Sequence, residues 1–189
     1  MGKKDVDRVI TKALRHSPQL LGITLNKAGF CHIDDLIKGL NKHGFYADKT
    51  LIEQIGENER FSFNEQHTKI RADYGSSVGL LLADMYESDE VPPSILYHGT
   101  SLDALDSIKQ NGIIRFAKIE KARDHIFLTE LKTVALKKGE RHGRGIALPI
   151  MTKEMYMSGY KFYHAKNDIW LIEDTIPTEF IDFENIIFD

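Results

Sequence analysis

The sequence of 189 residues predicts an α+β protein with two lobes, and three features lead to this prediction. Apolar residues recur at helical spacing over residues 5–55, and strand-like alternation replaces that spacing over residues 60–72. From residue 95 onward, strand-like and helix-like segments alternate. An acidic run leads into Pro92 and Pro93, and consecutive prolines cannot continue a helix. We therefore predict one lobe at residues 1–90 and another at residues 91–189.

The first lobe is predicted to contain three short helices followed by a hairpin. Pro18 and Gly44 limit the first two helices, and Asp48 is a favourable N-cap for the third. The predicted helices cover residues 5–18, 32–44 and 49–55. The predicted strands cover residues 60–63 and 68–72, on either side of a polar turn at residues 64–67. This order of elements is a winged-helix pattern.

The second lobe is predicted to mix helices and strands. Ser101 is a favourable N-cap, and Gly112 a favourable end, for a helix at residues 102–111. Two further short helices are predicted at residues 131–137 and 153–157. Strands are predicted at residues 95–98, 126–128, 145–150, 169–172 and 180–183.

The composition is that of a globular protein, with 42% hydrophobic and 28% charged residues. Its longest apolar runs, at residues 78–83 and 145–151, are far shorter than the roughly 20 residues of a spanning helix. The N-terminus lacks the apolar segment of a secretory signal, so we expect a cytoplasmic protein that does not contact membranes. Cys31 is the single cysteine and the eight histidines are scattered, so we expect no disulfide and no metal site. We also expect a monomer.

The charge balance excludes a protein that coats nucleic acid by charge alone, because 25 Lys and Arg stand against 28 Asp and Glu. Bases outnumber acids over residues 109–144, and acids outnumber bases from residue 145 onward. This segregation permits a local anionic ligand.

Two other functions are compatible with parts of the sequence. Residues 75–79 match Gly-x-Ser-x-Gly, so Ser77 could be the nucleophile of a serine hydrolase. Asp106 or Asp124 and His142 or His164 could formally complete its triad, but three helices and a hairpin are not the parallel sheet that such a motif needs. The second alternative is a non-catalytic winged-helix nucleic-acid-binding module, although residues 1–90 hold fewer bases than acids.

Four short segments contain residue types that suit a phosphate dianion. They are Leu14–Pro18, Ile70–Ala72, Tyr97–Thr100 and Gly139–Gly143. Three arginines and one histidine from these segments would suit a phosphate dianion. One guanidinium group can donate two hydrogen bonds to two phosphate oxygens, and it stays charged at all relevant pH. Each segment alone is equally typical of a surface ion pair, or of the cation that a helix C-terminus favours.

In this order, the four segments resemble the NAD-dependent RNA 2′-phosphotransferase family, whose best-known members remove the 2′-phosphate left at a tRNA splice junction. Further matching segments extend the resemblance over nearly the whole chain: Arg60-Phe61, His125 with Leu128, Asn167–Leu171 and Pro177. The resemblance implies a winged-helix RNA-binding lobe at residues 1–90 and a NAD-binding lobe of the ADP-ribosyltransferase type at residues 91–189. It also implies an active site between the lobes.

The resemblance further implies the residues that act. Arg15, His16, Arg71 and Arg141 match the catalytic tetrad of the family. His98 and His125 match two positions of its NAD-binding signature, and Ile169 occupies the third, where many toxin-like ADP-ribosyltransferases have a glutamate. We place Gly99, Thr100 and Thr129 beside these histidines in the NAD pocket, with Gly112 and Ile113 as weaker candidates, and we expect Tyr97 and Trp170 to be core residues.

The reaction that the resemblance implies consumes NAD as a co-substrate and needs no metal. The RNA 2′-phosphate attacks the nicotinamide-bearing ribose carbon, and the adjacent ribose hydroxyl then attacks the phosphorus. The products are RNA with a 2′-hydroxyl, nicotinamide and ADP-ribose 1″,2″-cyclic phosphate. The chain departs from the family at Tyr74–Ser77, where Gln-Gly-His-Ser is usual, and at Phe127 in place of a histidine. We expect tRNA-like RNA carrying a 2′-phosphate as the partner.

Overall fold

The computed structural model describes residues 3–58, 60–80, 82–86, 90–114, 125–165 and 168–188. The chain divides into two compact units, residues 1–85 and 86–189. The sequence predicts this division a few residues later, between residues 90 and 91. The structure is an α+β fold, because helices accompany two separate antiparallel sheets. In the described part of the chain, no helix has the length and apolar content required to span a membrane.

The first unit contains the three helices and the hairpin that the sequence predicts. Its helices are α1 (Lys3–Arg15), α2 (Ile33–Lys42), α3 (Lys49–Gly56) and the short α4 (Leu82–Met85), and a 3-10 turn covers Pro18–Leu20. Its strands are β1 (Cys31–His32), β2 (Phe61–Phe63) and β3 (Lys69–Ala72). Asp48 caps α3 as predicted, since its Oδ1 accepts a hydrogen bond of 2.8 Å from the Leu51 N–H.

One apolar core unites the helices and the sheet of the first unit. Val6, Ile10 and Ala13 lie on one face of α1 and are buried, as are Leu36 of α2 and Ile52 of α3. The strand order is β1-β3-β2, and Phe61 pairs with Ala72, Ser62 with Arg71, and Phe63 with Ile70. The register therefore places Ser62 and Arg71 on the same face of the sheet.

The second unit is built on one six-stranded sheet. Its strands are β4 (Leu96–Ser101), β5 (Ile126–Thr129), β6 (Gly145–Ile150), β7 (Tyr163–Ala165), β8 (Ile169–Ile172) and β9 (Ile187–Phe188). Its helices are α5 (Leu105–Asn111), α6 (Lys132–Gly139) and α7 (Thr152–Met157), and 3-10 turns cover Leu102–Ala104, Glu140–His142 and Thr178–Phe180. The strand order is β7-β8-β5-β4-β6-β9, with antiparallel pairs throughout the described strands.

The central strands of this sheet are covered on both faces. Leu96 of β4 and its partner Ile150 lie in the apolar core, together with Ile108 of α5 and Met155 of α7. Helix α6 packs against β4 and β6. Alternation along β4 therefore directs Leu96, His98 and Thr100 to the core face, and Tyr97 and Gly99 to the other.

The prediction of a strand at residues 180–183 is wrong. The segment begins with the 3-10 turn Thr178–Phe180, and Ile181 forms only an isolated bridge to Ile150. The strand-like apolar residues there serve packing, since Ile181 is buried in the core and Phe180 packs against it. Strands β1, β7 and β9 are absent from the sequence prediction, because two or three residues are too few to show an alternation.

Candidate active site

Arg15 is the last residue of α1 and lies beside Tyr74. Its guanidinium carbon is 4.8 Å from the centre of the Tyr74 ring, and Tyr74 also makes a side-chain hydrogen bond to it. Burial lowers the pKa of the Arg15 guanidinium, while Tyr74 and Asp73 act in the opposite direction. Within the described residues, its Nε and Nη2 atoms are buried and have no hydrogen-bond partner. Buried N–H groups are costly unless an acceptor reaches them, so this guanidinium is suited to an anion.

His16 follows Arg15 and is attached to the segment between β3 and α4. The His16 Nδ1 and the Ser77 Oγ atoms lie 2.8 Å apart, and the Ser77 N–H donates to the Arg15 carbonyl oxygen at 2.8 Å. Gly75 has a φ of 77°, which favours glycine and turns the chain towards α1. The segment thus provides a hydrogen-bond donor for the Arg15 carbonyl, which has no partner within α1, and its Ser77 hydroxyl holds the His16 imidazole in place.

Arg71 lies on β3 and is held from several directions. Its Nε donates to Asp73 Oδ1 at 3.2 Å, and its Nη1 donates to the Met85 carbonyl oxygen at 2.7 Å. Its guanidinium carbon lies 4.8 Å from the centre of the Phe30 ring. An arginine side chain has several rotatable bonds, so these contacts restrict it strongly.

Asp73 interacts with two of the arginines of the first unit, Arg15 and Arg71. Its carboxylate bonds Arg71 and also acts electrostatically on Arg15. Its second oxygen, Oδ2, accepts a hydrogen bond of 2.7 Å from the Ser62 hydroxyl. The first unit therefore gathers Arg15, His16 and Arg71, three residues of the predicted tetrad, around the segment that follows β3.

Arg141, the fourth predicted residue, belongs to the second unit. It lies in the 3-10 turn Glu140–His142 and is exposed. Its predicted meeting with Arg15, His16 and Arg71 stays a prediction.

His98, Thr100 and His125 lie on or beside the two central strands of the second unit. His98 and Thr100 are half-buried on β4, and their partners Leu148 and Ile146 are fully buried. The His98 Nδ1 lies 3.1 Å from the Phe127 carbonyl oxygen, which can only accept, so Nδ1 carries the proton. His125 is buried directly before β5. One predicted NAD-binding histidine thus lies on β4 and the other directly before the neighbouring strand β5, and their cofactor role stays a prediction.

Gly99 and Thr129 have structural contacts that the sequence did not predict. A Cβ at Gly99 would overlap the backbone carbonyl of Ala135, so the glycine is required by the close approach of α6. The Thr129 hydroxyl accepts from the Leu131 N–H at 3.2 Å, immediately before α6 begins. Both residues position α6, whatever they contribute to a ligand.

Gly112 and Ile113 lie at the end of α5. Gly112 has a φ of 71° and ends the helix as predicted, and a Cβ there would overlap the carbonyl of Ile176. Ile113 is buried, and its backbone exchanges two hydrogen bonds with Ile176. These contacts show that both residues have a structural role at the end of α5. Their role in binding NAD stays a prediction.

Trp170 and Tyr97 differ from each other in burial. Trp170 is buried in the core, as predicted, and His164 stacks on it at 4.3 Å between ring centres. The expectation for Tyr97 is wrong. Tyr97 is half-buried on the face that α6 covers, with the Lys132 Nζ 5.4 Å from its ring centre, because alternation along β4 turns it away from the core.

Comparison with known proteins agrees with the resemblance. A profile of the family described as RNA 2′-phosphotransferase, Tpt1 / KptA family, matches residues 2–174. The chain belongs to this family. Proteins of two bacteria illustrate the similarity, and each is named a probable RNA 2′-phosphotransferase. That of Flavobacterium johnsoniae is 34% identical over 96% of this chain and 97% of its own length. That of Fusobacterium nucleatum is 38% identical over 93% of this chain and 96% of its own.

In this RNA 2′-phosphotransferase family member, the Gly-x-Ser-x-Gly segment does not have the geometry of a hydrolase. It is an irregular connection between β3 and α4, and the described strands form only antiparallel pairs. Among the described side chains, the histidine that contacts Ser77 is His16, which precedes it in the chain, and the His164 Nδ1 bonds Glu90 at 2.8 Å. Asp124 and Asn167 and the side chain of His142 lie outside the described residues.

Asp73, Ser62 and Phe30 lie around the candidate catalytic residues and are absent from the sequence prediction. The sequence pattern could have predicted the first two. Residues 71 and 73 are two positions apart, so they lie on the same face of an extended chain, and the hairpin pairs Ser62 with Arg71. Phe30 has no such signal, since it reaches Arg71 from a loop before β1.

Proposed function

We propose that this protein removes a 2′-phosphate from RNA by transferring it to NAD. Family membership supports the class of reaction, and the gathering of Arg15, His16 and Arg71 around one segment is the observation that carries the proposal. Arginine and histidine side chains donate hydrogen bonds to phosphate oxygens, and the two buried N–H groups of Arg15 that lack a partner within the described residues suit an anion.

The proposed reaction has two bond exchanges. An oxygen of the RNA 2′-phosphate forms a bond to the nicotinamide-bearing ribose carbon of NAD, and the glycosidic bond breaks to release nicotinamide. The neighbouring ribose hydroxyl then forms a bond to phosphorus, and the bond from phosphorus to the RNA O2′ breaks. The attacking hydroxyl loses its proton and the O2′ gains one, so the products are RNA with a 2′-hydroxyl, nicotinamide and ADP-ribose 1″,2″-cyclic phosphate.

The side chains of the first unit would act on the phosphate. Negative charge builds on its oxygens during the second exchange, and Arg15 and Arg71 would stabilise that charge together with Arg141. His16, held by Ser77, could carry the proton, because an imidazole titrates near neutral pH. The substrate brings its own nucleophile, so the reaction needs no activated serine.

The second unit would bind NAD. His98 and Thr100 are half-buried polar residues among fully buried neighbours, which suits a ligand with both apolar rings and hydroxyl groups. The hydrogen bond from Nδ1 to the Phe127 carbonyl oxygen fixes the orientation of the His98 ring. NAD supplies the electrophilic carbon when it is bound.

The test is an assay of purified protein with an RNA that carries one internal 2′-phosphate, with and without NAD. We expect NAD-dependent loss of the phosphate, seen by mass spectrometry of the RNA, and one nicotinamide released per phosphate lost. The same RNA without the 2′-phosphate should release no nicotinamide. Phosphate loss that proceeds equally without NAD would refute the proposed co-substrate.

Matched variants connect the reaction to the site. His16→Ala removes the imidazole and should abolish turnover, whereas Arg8→Ala removes an exposed cation of the same helix and should not. An equal loss in both variants would argue against a specific role for His16. Binding of plain RNA with no reaction on the phosphorylated RNA would favour the non-catalytic binding module instead.

A further inference from the structure

Asp73 is a buried carboxylate whose two oxygens are both engaged. Its exposure is 1%, Oδ1 accepts from the Arg71 Nε, and Oδ2 accepts from the Ser62 hydroxyl. A buried charge is unfavourable unless it is paired, and a hydrophobic residue of similar size often stabilises a fold better. The carboxylate therefore calls for an explanation beyond stability.

The hairpin register explains how this cluster forms. Arg71 and Asp73 are two residues apart along the same chain direction, and Ser62 is the cross-strand partner of Arg71. All three side chains thus lie on one face of the β2–β3 hairpin. The backbone of the hairpin is further fixed at this end, because the Asp73 N–H donates to the Arg60 carbonyl oxygen at 3.0 Å.

Arg71 receives a distinct constraint from Asp73. The Met85 carbonyl holds one terminal nitrogen at 2.7 Å, and the Phe30 ring lies 4.8 Å from the guanidinium carbon. Asp73 accepts the hydrogen bond from Nε, so it restricts rotation of the guanidinium plane. A phosphate that binds to such a group meets donors already in place, which lowers the entropy that binding must remove.

The charge of Asp73 has a second effect. Arg15 and Arg71 are both cations, and Asp73 acts on each of them. Its negative charge opposes the lowering of the Arg15 pKa by burial and by Arg60.

We infer that Asp73, braced by Ser62, is a positioning residue that orients Arg71 for the RNA 2′-phosphate, an inference that rests on the proposed function. The residue does not touch the substrate. It acts through the Nε edge of Arg71.

The experiment compares Asp73→Ala, Asp73→Asn and Ser62→Ala with the wild-type chain in the assay for 2′-phosphate removal. Asparagine keeps an acceptor for Arg71 and a polar group for Ser62 but has no charge. We expect Asp73→Ala to lower kcat by roughly 100-fold, the scale of a misplaced catalytic group, with KM for RNA changed less than about threefold. The kcat values of Asp73→Asn and Ser62→Ala should lie between those of Asp73→Ala and the wild type.

A double-mutant cycle separates positioning from folding. In the background of Arg71→Met, the substitution Asp73→Ala should not lower the residual single-turnover rate further, because the arginine that Asp73 orients is already absent. A merely structural residue would lower the rate in both backgrounds, and that result would overturn the inference. Wild-type kcat in Asp73→Ala would overturn it as well.

A spectroscopic readout does not depend on catalysis. The Arg71 Nε–H, bonded to a buried carboxylate, should give a guanidinium signal in a nitrogen-proton correlation spectrum that exchanges slowly with water. Asp73→Ala should abolish this signal, and its persistence unchanged would overturn the inference. A wild-type chain that shows this signal but no NAD-dependent reaction would overturn the proposed function and the inference that rests on it. The hydrogen bond between Arg71 and Asp73 would still be confirmed by the signal.

Discussion

Some side chains of the first unit are ionisable and yet buried, which lowers the stability of the fold when the charged group lacks a partner. Arg15 is the clearest example, because two of its N–H groups are buried without a hydrogen-bond partner in the described residues. Functional sites retain such groups although the fold would be more stable without them. Cys31 is a contrasting case, since it is buried among apolar neighbours, and burial together with the charge of Asp35 raises the pKa of its thiol.

Arg15→Met should leave the melting temperature unchanged or raise it, while turnover falls by at least roughly 100-fold, the scale of one lost charge-stabilising donor. Methionine fills similar space and can contact the Tyr74 ring without burying N–H groups. Calorimetry and the nicotinamide assay measure the two effects.

The control is Arg60→Met, which removes a paired arginine whose Nη2 lies 2.6 Å from Asp7 Oδ2. This variant should melt at a lower temperature. A large loss of stability in Arg15→Met would show that its N–H groups are satisfied in the folded chain.

The Cys31 thiol should not react with a disulfide reagent at pH 8 in the folded chain, and it should react fully in urea. Burial raises its pKa to about 12, so the reactive thiolate is scarce in the folded state. An unfolded thiol ionises near pH 8.5, so this contribution to stability is complete below that pH and is lost as the pH rises towards 12. Rapid labelling of the folded chain would contradict the burial.

At the scale of elements, small residues allow α6 to lie directly on the central sheet. Gly99 of β4 contacts the backbone of Ala135, and Gly139 at the end of α6 contacts the Thr100 carbonyl. The same strand carries His98. The position of α6 and the position of the candidate NAD residues are therefore coupled through β4.

Gly99→Ala should lower the free energy of unfolding by about 1–3 kcal/mol, the usual range for overpacking, because the added methyl overlaps the Ala135 carbonyl. Urea titration gives this value, and calorimetric titration with NAD gives the affinity.

Thr133→Ala is a control on the exposed side of α6 and should change stability by less than about 0.5 kcal/mol. A Gly99→Ala variant with wild-type stability but no NAD affinity would show that the glycine serves the ligand and not the helix.

At the scale of the whole molecule, the net charge of −3 limits how RNA can be recognised. A chain with more acids than bases gains little from general attraction to a polyanion. Recognition must then depend on a few local contacts, and the 2′-phosphate adds the densest charge on the RNA.

RNA with a 2′-phosphate should bind more tightly than the same RNA without it, and the logarithm of its affinity should fall with the logarithm of salt concentration at a slope of about −1.4. The three arginines are proposed to bind one 2′-phosphate, which carries about two negative charges, and single strands give about 0.7 per charge. Fluorescence anisotropy in a salt series measures the slope. A slope steeper than about −5 would indicate an extended basic surface instead.

Local pattern was sufficient to predict most elements of the fold. The helical spacing of Val6, Ile10 and Ala13 and the alternation over residues 68–72 are properties of neighbouring residues. Residues 180–183 show the limit, because an apolar segment packs equally well as an irregular chain when its partners cover it. The winged-helix and ADP-ribosyltransferase assignments remain predictions from the pattern and the resemblance.

The sequence by itself determined the family, the two-part organisation of its elements and the identity of the candidate catalytic side chains, since these depend on residue types in order along the chain. Only the tertiary structure decided which groups hold them: Ser77 on His16, Tyr74 on Arg15, and Asp73 with Ser62 on Arg71. His16 and Ser77 are 61 residues apart. Such contacts depend on strand register and on the path of loops, which the packing of the whole unit fixes.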